Sequence, residues 1–213
     1  MGLSTGNHTS KTYLQIVAGR VAQKSAEGVH GAVSRENKKK EIVWELHHDS
    51  ISGKIKEMNI EAKTFASGKT KQLEIVIQDA DESFILTLPV ESKYFDHFCS
   101  KIGSANLNKE IIVKPYSFVP KDKPNKISGL NLYQKEKETD SEPKKLGYYF
   151  SPENPEGKPF PPEERMDEDE YKMFKIKERK FYCEYILGMT KLKPAAADVK
   201  STLEPAPDDD LPF

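Results

Sequence analysis

SGKIKEMNIEAKTF, residues 52–65, is the stretch on which the fold turns. Ile55 points to one side of an extended chain, and Met58, Ile60 and Ala62 do so again with the parity shifted by one. Alternation with a single slip reads as one long strand carrying a bulge near Glu57, a device of strongly bent strands. The turn Ala66-Ser67-Gly68-Lys69 follows, and Leu73, Ile75 and Ile77 resume the alternation. Asp79 to Glu82 makes another turn, and Phe84, Leu86 and Leu88 another strand. The period then changes. Tyr94, Phe95, Phe98, Cys99 and Ile102 recur at three and four, one stripe of a helix, with Gly103 as its stop.

Working outward, Tyr13–Ala18 reads as a strand, and so does the alternation of Ile42, Trp44 and Leu46 with Val43 and Glu45. A polar loop with Gly28, Gly31 and Lys38-Lys39-Lys40 is expected to join them, and Trp44 is expected in the core. Downstream, Glu110–Val119 and Ile127–Gln134 read as strands around the basic loop Pro120–Lys126, and Leu146–Phe150 as one more short strand. Three early strands, a helix and two further strands form the connectivity of an OB-fold. The expected class is therefore mainly β: an OB-fold-like antiparallel barrel over residues 11–150, with extra N-terminal strands and one internal helix. Residues 1–10 are expected to be disordered. Residues 151–166 (SPENPEGKPFPPEERM) read as a proline-rich linker and residues 167–188 as a helix with an aromatic stripe of Tyr171, Phe174, Phe181, Tyr182 and Tyr185. Residues 189–213 read as a disordered acidic tail.

Composition narrows the function. The 213 residues carry 33 basic and 34 acidic side chains, 36% hydrophobic residues and 31% charged ones, at a mean hydropathy of −0.70. No apolar run approaches the roughly 20 residues of a membrane span, and Met1–Ser10 has no signal-peptide pattern, so a cytoplasmic protein is expected. Cys99 and Cys183 fall in helical patterns and read as free thiols. Charge is unevenly spread. Residues 1–150 hold 23 basic against 19 acidic side chains, and residues 151–213 hold 10 against 15. A basic body with an acidic end suits a polyanion ligand.

Parity selects the residues that would meet such a ligand. Lys54, Lys56, Lys63 and Phe65 lie opposite Ile55, Met58, Ile60 and Ala62, with Lys69 and Lys71 at the following turn. Lys114, Tyr116 and Phe118 lie opposite Ile111, Val113 and Val119, and Lys121, Lys123 and Lys126 continue the charge along the loop. Tyr133 and Lys135 lie opposite Leu130 and Leu132. Rings that stack bases, interleaved with cations that follow a phosphate backbone, are the requirement for gripping a single strand.

The sequence closes with Asp208-Asp209-Asp210-Leu211-Pro212-Phe213, an acidic string ending in an apolar hook. These six residues closely resemble the C-terminal tip of bacterial and bacteriophage single-stranded DNA-binding proteins, and the N-terminal addition and aromatic C-terminal helix suggest a phage-type relative. The resemblance implies an OB-fold body that coats single-stranded DNA in replication, recombination and repair. It also implies that Asp208, Asp209, Asp210, Leu211, Pro212 and Phe213 recruit polymerase, primase, helicase or recombination proteins, and that the host cell is bacterial.

No catalytic constellation is present. Gly68-Lys69-Thr70 imitates the end of a P-loop, but Lys63 stands where the first glycine must be. His47-His48 point to opposite faces of a strand and read as surface residues. No enzyme activity, cofactor or metal is expected, and a homodimer is an open possibility. The alternatives are an RNA-binding or translation-type OB module and a protein-interaction scaffold.

Overall fold

The computed structural model describes residues 11–37, 40–65, 68–80, 82–121, 124–137, 139–153, 155–162 and 165–191, with the side chains of 65, 190 and 191 excepted. The expected N-terminal segment 1–10 and the tail motif 208–213 lie outside the described residues.

The chain is mainly β. Its strands are β1 (Thr12–Val17), β2 (Arg20–Ser25), β3 (Val33–Glu36), β4 (Ile42–His48), β5 (Ile51–Phe65), β6 (Gly68–Asp79), β7 (Glu82–Pro89), β8 (Ile111–Phe118), β9 (Ile127–Gln134) and β10 (Lys144–Lys145). Helix α1 (Lys93–Ile102) falls between β7 and β8, and α2 (Glu168–Lys191) follows the last strand. The strands form one sheet in the order β10-β9-β8-β5-β6-β7-β1-β2-β4-β3. All pairings are antiparallel except β1 with β7. The sheet is therefore mixed, the expected antiparallel barrel pattern being joined by one parallel pair at β1 and β7.

β5 is the hinge of the sheet. Its first residues, Ile51–Gly53, pair with Val113–Ile111 of β8, and from Lys54 onward it pairs with β6. Gly53 sits at the handover with φ 147°, and a Cβ there would lie 2.5 Å from the carbonyl oxygen of Gln78. No other residue type fits that bend. The register slips between Ile55 and Glu57, where the sequence places its bulge, so that Ile55 and Met58 both enter the core. The coiled sheet brings the β1–β2 turn at Gly19 against the backbone of Tyr116 and Ser117 in β8.

The core joins Ile55, Met58, Leu73, Ile75 and Ile77 of the long hairpin to Leu86 and Leu88, to Phe95, Phe98 and Ile102 of α1, and to Val113, Leu130 and Leu132. Ser92 caps α1 by accepting a hydrogen bond from the Phe95 amide at 3.2 Å. In α2 the packed face is Glu178, Tyr182 and Ile186, with Tyr182 edge-on to Phe95 at 6.2 Å. Tyr171, part of the expected stripe, is exposed. Asp167 and Glu170 form a reciprocal capping box, Asp167 Oδ1 taking the Glu170 amide at 2.8 Å and Glu170 Oε2 the Asp167 amide at 2.9 Å. The helix runs to Lys191, three residues into the stretch expected as tail.

Other expectations need correction. The polar connection before β4 contains two strands, β2 and β3, whose half-exposed polar sequences hide their extension. Leu146–Phe150 is not a strand; only Lys144–Lys145 pairs with β9. Trp44 is half-buried and Ile42 exposed, because β4 lies where the sheet extends past the core. The deeply buried member of β4 is instead Glu45, whose side chain is 2% exposed. Arg35 reaches it with two bonds of 2.6 and 2.8 Å, Gln15 with one of 2.8 Å, and His47 lies 3.2 Å away.

Burial works to raise the Glu45 pKa, but the bonds from Arg35 and His47 outweigh it and hold the carboxyl below its ordinary value. A depressed carboxylate contributes stability above its unfolded pKa and loses that contribution as pH falls through its folded value. Arg35→Ala leaves this charge without its main partner and should cost about 3–5 kcal/mol at neutral pH. Urea unfolding reads the loss, and the gap to wild type should shrink as acid titrates Glu45. A midpoint unmoved at neutral pH would mean the cluster carries no stability.

Candidate nucleic-acid interface

β8 reads IIVKPYSF, and its alternation is resolved by burial. Ile111, Val113 and Pro115 turn inward, while Lys114, Tyr116 and Phe118 turn out. β9 answers it in register: Ile112 faces Tyr133, Lys114 faces Asn131, Tyr116 faces Gly129 and Phe118 faces Ile127. Directly opposed residues of an antiparallel pair share a face, so these residues form one outward surface. Phe118 is 52% exposed and Ile127 38%, an apolar cross-strand pair left in water.

Gly129 makes the surface continuous with α1. A Cβ there would lie 2.5 Å from the His97 ring and would also strike the Tyr116 hydroxyl, so the missing side chain lets both rings close over β9. His97 meets Tyr116 edge-on at 6.3 Å, and Tyr116 lies 6.1 Å from Phe118. His97 Nδ1 accepts the Leu130 amide at 3.4 Å. Burial and the neighbouring Lys101 charge lower the pKa of His97, which favours the neutral ring that this acceptor role needs.

Lys101 is buried against the same edge. Its Nζ donates to the Leu130 carbonyl at 2.6 Å and to Asn131 Oδ1 at 3.2 Å, with the Tyr148 ring centred 5.2 Å away. Burial and Lys145 lower its pKa. Tyr148 is itself 66% exposed. Burial and Tyr148 raise the Tyr116 pKa. Tyr148, Tyr116 and Phe118 thus make a platform of rings, with a cation under one of them.

Lys114, Lys121 and Lys126 border the platform, are exposed, and make no ion pair with a described residue. Tyr133 lies on the same face, half-buried, and Lys135 is exposed just past the end of β9. Lys123 lies outside the described residues.

The lysines of the β5–β6 hairpin do not join this surface as one track. Lys54 and Lys56 line a shallow depression together with the acidic Asp79 and Glu110. Lys63 is tied to Glu74 across the hairpin. Lys69 and Lys71 pair with Thr64 and Ala62, on the face opposite Lys63. They stand about 30 Å of strand contour from the part of β5 that touches β8. The side chain of Phe65 is not described.

Sequence reasoning missed Tyr148, Ile127 and the two α1 side chains. Tyr148-Tyr149-Phe150 held a signal, since three successive rings cannot all face one core: Phe150 is buried, Tyr149 rests on Tyr185, and Tyr148 is left outside. Cys99 is buried and Cys183 half-buried, both as free thiols. His48 is exposed, and no cluster of three or more metal-binding side chains occurs among the described residues. No described helix is long and apolar enough to cross a membrane. Comparison of the chain with family models, with curated proteins and with solved structures gives no match.

Lys101→Met removes both bonds to the β9 edge while keeping an unbranched apolar stem. Leaving the Leu130 carbonyl unsatisfied should cost about 1–3 kcal/mol. Amide exchange at residues 129–131 should quicken more than in β6, whereas uniform exchange would show that the lysine does not hold this edge.

Proposed function

We propose that this chain binds single-stranded DNA along the outer face of β8 and β9, coats exposed strands with little sequence preference, and brings replication and recombination proteins to them. One observation carries the reading: three exposed or half-exposed rings, Tyr116, Phe118 and Tyr148, stand beside Lys114, Lys121 and Lys126, whose charges no described carboxylate engages. Bases present an apolar face to any ring, so stacking gives affinity without sequence choice, and unengaged ammonium groups gain most from meeting phosphates. Paired lysines such as Lys63 would first have to leave a carboxylate.

The recruitment half rests on the sequence Asp208–Phe213, which resembles the partner-binding tip of single-stranded DNA-binding proteins. A binding role without catalysis is part of the same proposal.

The test is a titration of labelled oligo-dT by fluorescence anisotropy at several salt concentrations. Tyr116→Ala and Phe118→Ala should each weaken binding by about 1–3 kcal/mol. Lys114→Gln should lower the log–log salt slope by about 0.7, the release expected per phosphate contact on a single strand. Full affinity in the double ring variant would sink the assignment of this face, and tighter binding of oligo-U than of oligo-dT would move the ligand to RNA. Removing residues 208–213 should abolish pull-down of replication proteins and leave strand affinity intact or raised.

A further inference from the structure

Beside the ring platform, an open groove of about 1380 Å³ runs between α1, α2 and the segment that follows β10. Its near wall is shared with the platform, because His97, Lys126, Ile127 and Tyr148 line both. Its far wall is the first half of α2, where Tyr171 is 53% and Ile176 59% exposed. These two apolar side chains face the groove while the second half of the same helix is packed on the core.

The charges of the groove are arranged in two layers. At its floor, Asp96 is held by Lys175 at 2.8 Å and by Arg179 at 3.3 Å, and Glu178 by Lys158 at 2.8 Å. The acidic floor is thereby neutralised within the protein. At its rim stand Lys93 and Lys126, exposed and without an ion pair to any described residue, and Lys172, bound only to exposed carboxylates of its own helix. Among the described residues of its lining, the groove has six basic side chains against three acidic ones. Of the lining carboxylates only the exposed Glu91 makes no ion pair with a described residue, and a cleft with a paired floor, a cationic rim and solvent-facing rings is complementary to a polyanion that also carries flat apolar groups.

We infer that this groove is the continuation of the strand path: single-stranded DNA leaves the β8–β9 face at Phe118 and Ile127, passes Lys126 and Lys93, and ends against Tyr171 of α2. The inference rests on the proposed function and deepens it, since it sets the length and direction of the bound strand. The path stops at the acidic first turn of α2, where Asp167, Glu168, Asp169 and Glu170 repel phosphate. α2 thus acts as a second wall of the binding site as well as a packed support.

Strand length separates the two claims. Site sizes for such folds run from about 4 to 16 nucleotides, so a strand of about 4 fills one face and a strand of about 16 reaches the groove. The double variant Lys93→Glu with Tyr171→Ala changes two exposed side chains, and its thermal melt should match wild type. It should weaken binding of the long strand about ten-fold or more and shift binding of the short strand less than about two-fold. Equal affinity of the double variant and wild type for the long strand overturns the path. If the platform variants still lose binding in that case, the face itself survives. Loss of binding to a labelled Asp208–Phe213 peptide, with strand binding kept, would give the groove to an acidic peptide instead and overturn the inference. A wild-type chain that binds neither strand at low salt overturns both claims.

Discussion

The edge of β9 at Leu130 is the point on which the proposed binding surface depends. β8 lies on one side of β9, and opposite Leu130 it presents Pro115, which has no amide hydrogen. The backbone groups of Leu130 therefore turn the other way, where β10 pairs only with Tyr133 and Gln134. An unpaired strand edge is costly when buried and dangerous when exposed. Here two side chains of α1 complete it, His97 for the amide and Lys101 for the carbonyl. Those same bonds draw α1 down onto Gly129, set the His97 ring against Tyr116, and place a buried ammonium beneath Tyr148. Closing the edge and building the platform are one act.

Much of this was legible in the residues. The slip in SGKIKEMNIEAKTF foretold the bulge between Ile55 and Glu57, and the change of period at Tyr94 foretold α1, because both are local and each moves buried side chains. β2 and β3 were illegible for the opposite reason: RVAQKS and VSRE are mostly polar, and their strand character comes from the partners they pair with. The parallel pairing of β1 with β7 joins residues about seventy positions apart and leaves no mark in either segment. The outward set Lys114, Tyr116 and Phe118 was readable from alternation. Lys63 was not, since parity places a lysine on a face without revealing that Glu74 is already bound to it.

The N-terminal strands support the site from behind. β1 and β2 are joined at Ala18-Gly19, both at positive φ, a two-residue turn of the kind that suits a twisted hairpin. That turn bears on Tyr116 and Ser117, at the end of β8 that carries the platform. Its own position is set from the far side, where β2 pairs with β4, and Glu45 of β4 binds β1 through Gln15 and β3 through Arg35. One buried carboxylate thereby ties three strands together. Its desolvation is offset by those bonds, and in return the ribbon holds one register.

A chain of formal charge −1 has no long-range attraction to offer a polyanion, so binding has to come from local arrangement. On the proposed reading, the protein meets this need by pairing its acids with its own cations where packing needs them, as Glu45 with Arg35, Glu74 with Lys63, and Asp96 and Glu178 with Lys175, Arg179 and Lys158. Among the described residues, Lys114, Lys121 and Lys126 on the β8–β9 side remain without an ion pair, near Tyr116, Phe118 and Tyr148. At physiological ionic strength charges separated by more than about 8 Å are largely screened, and beyond that distance the nearly neutral whole no longer matters. Within it, Lys114 and Lys126 make no ion pair with a described carboxylate, which is the condition the proposed strand-binding face has to satisfy.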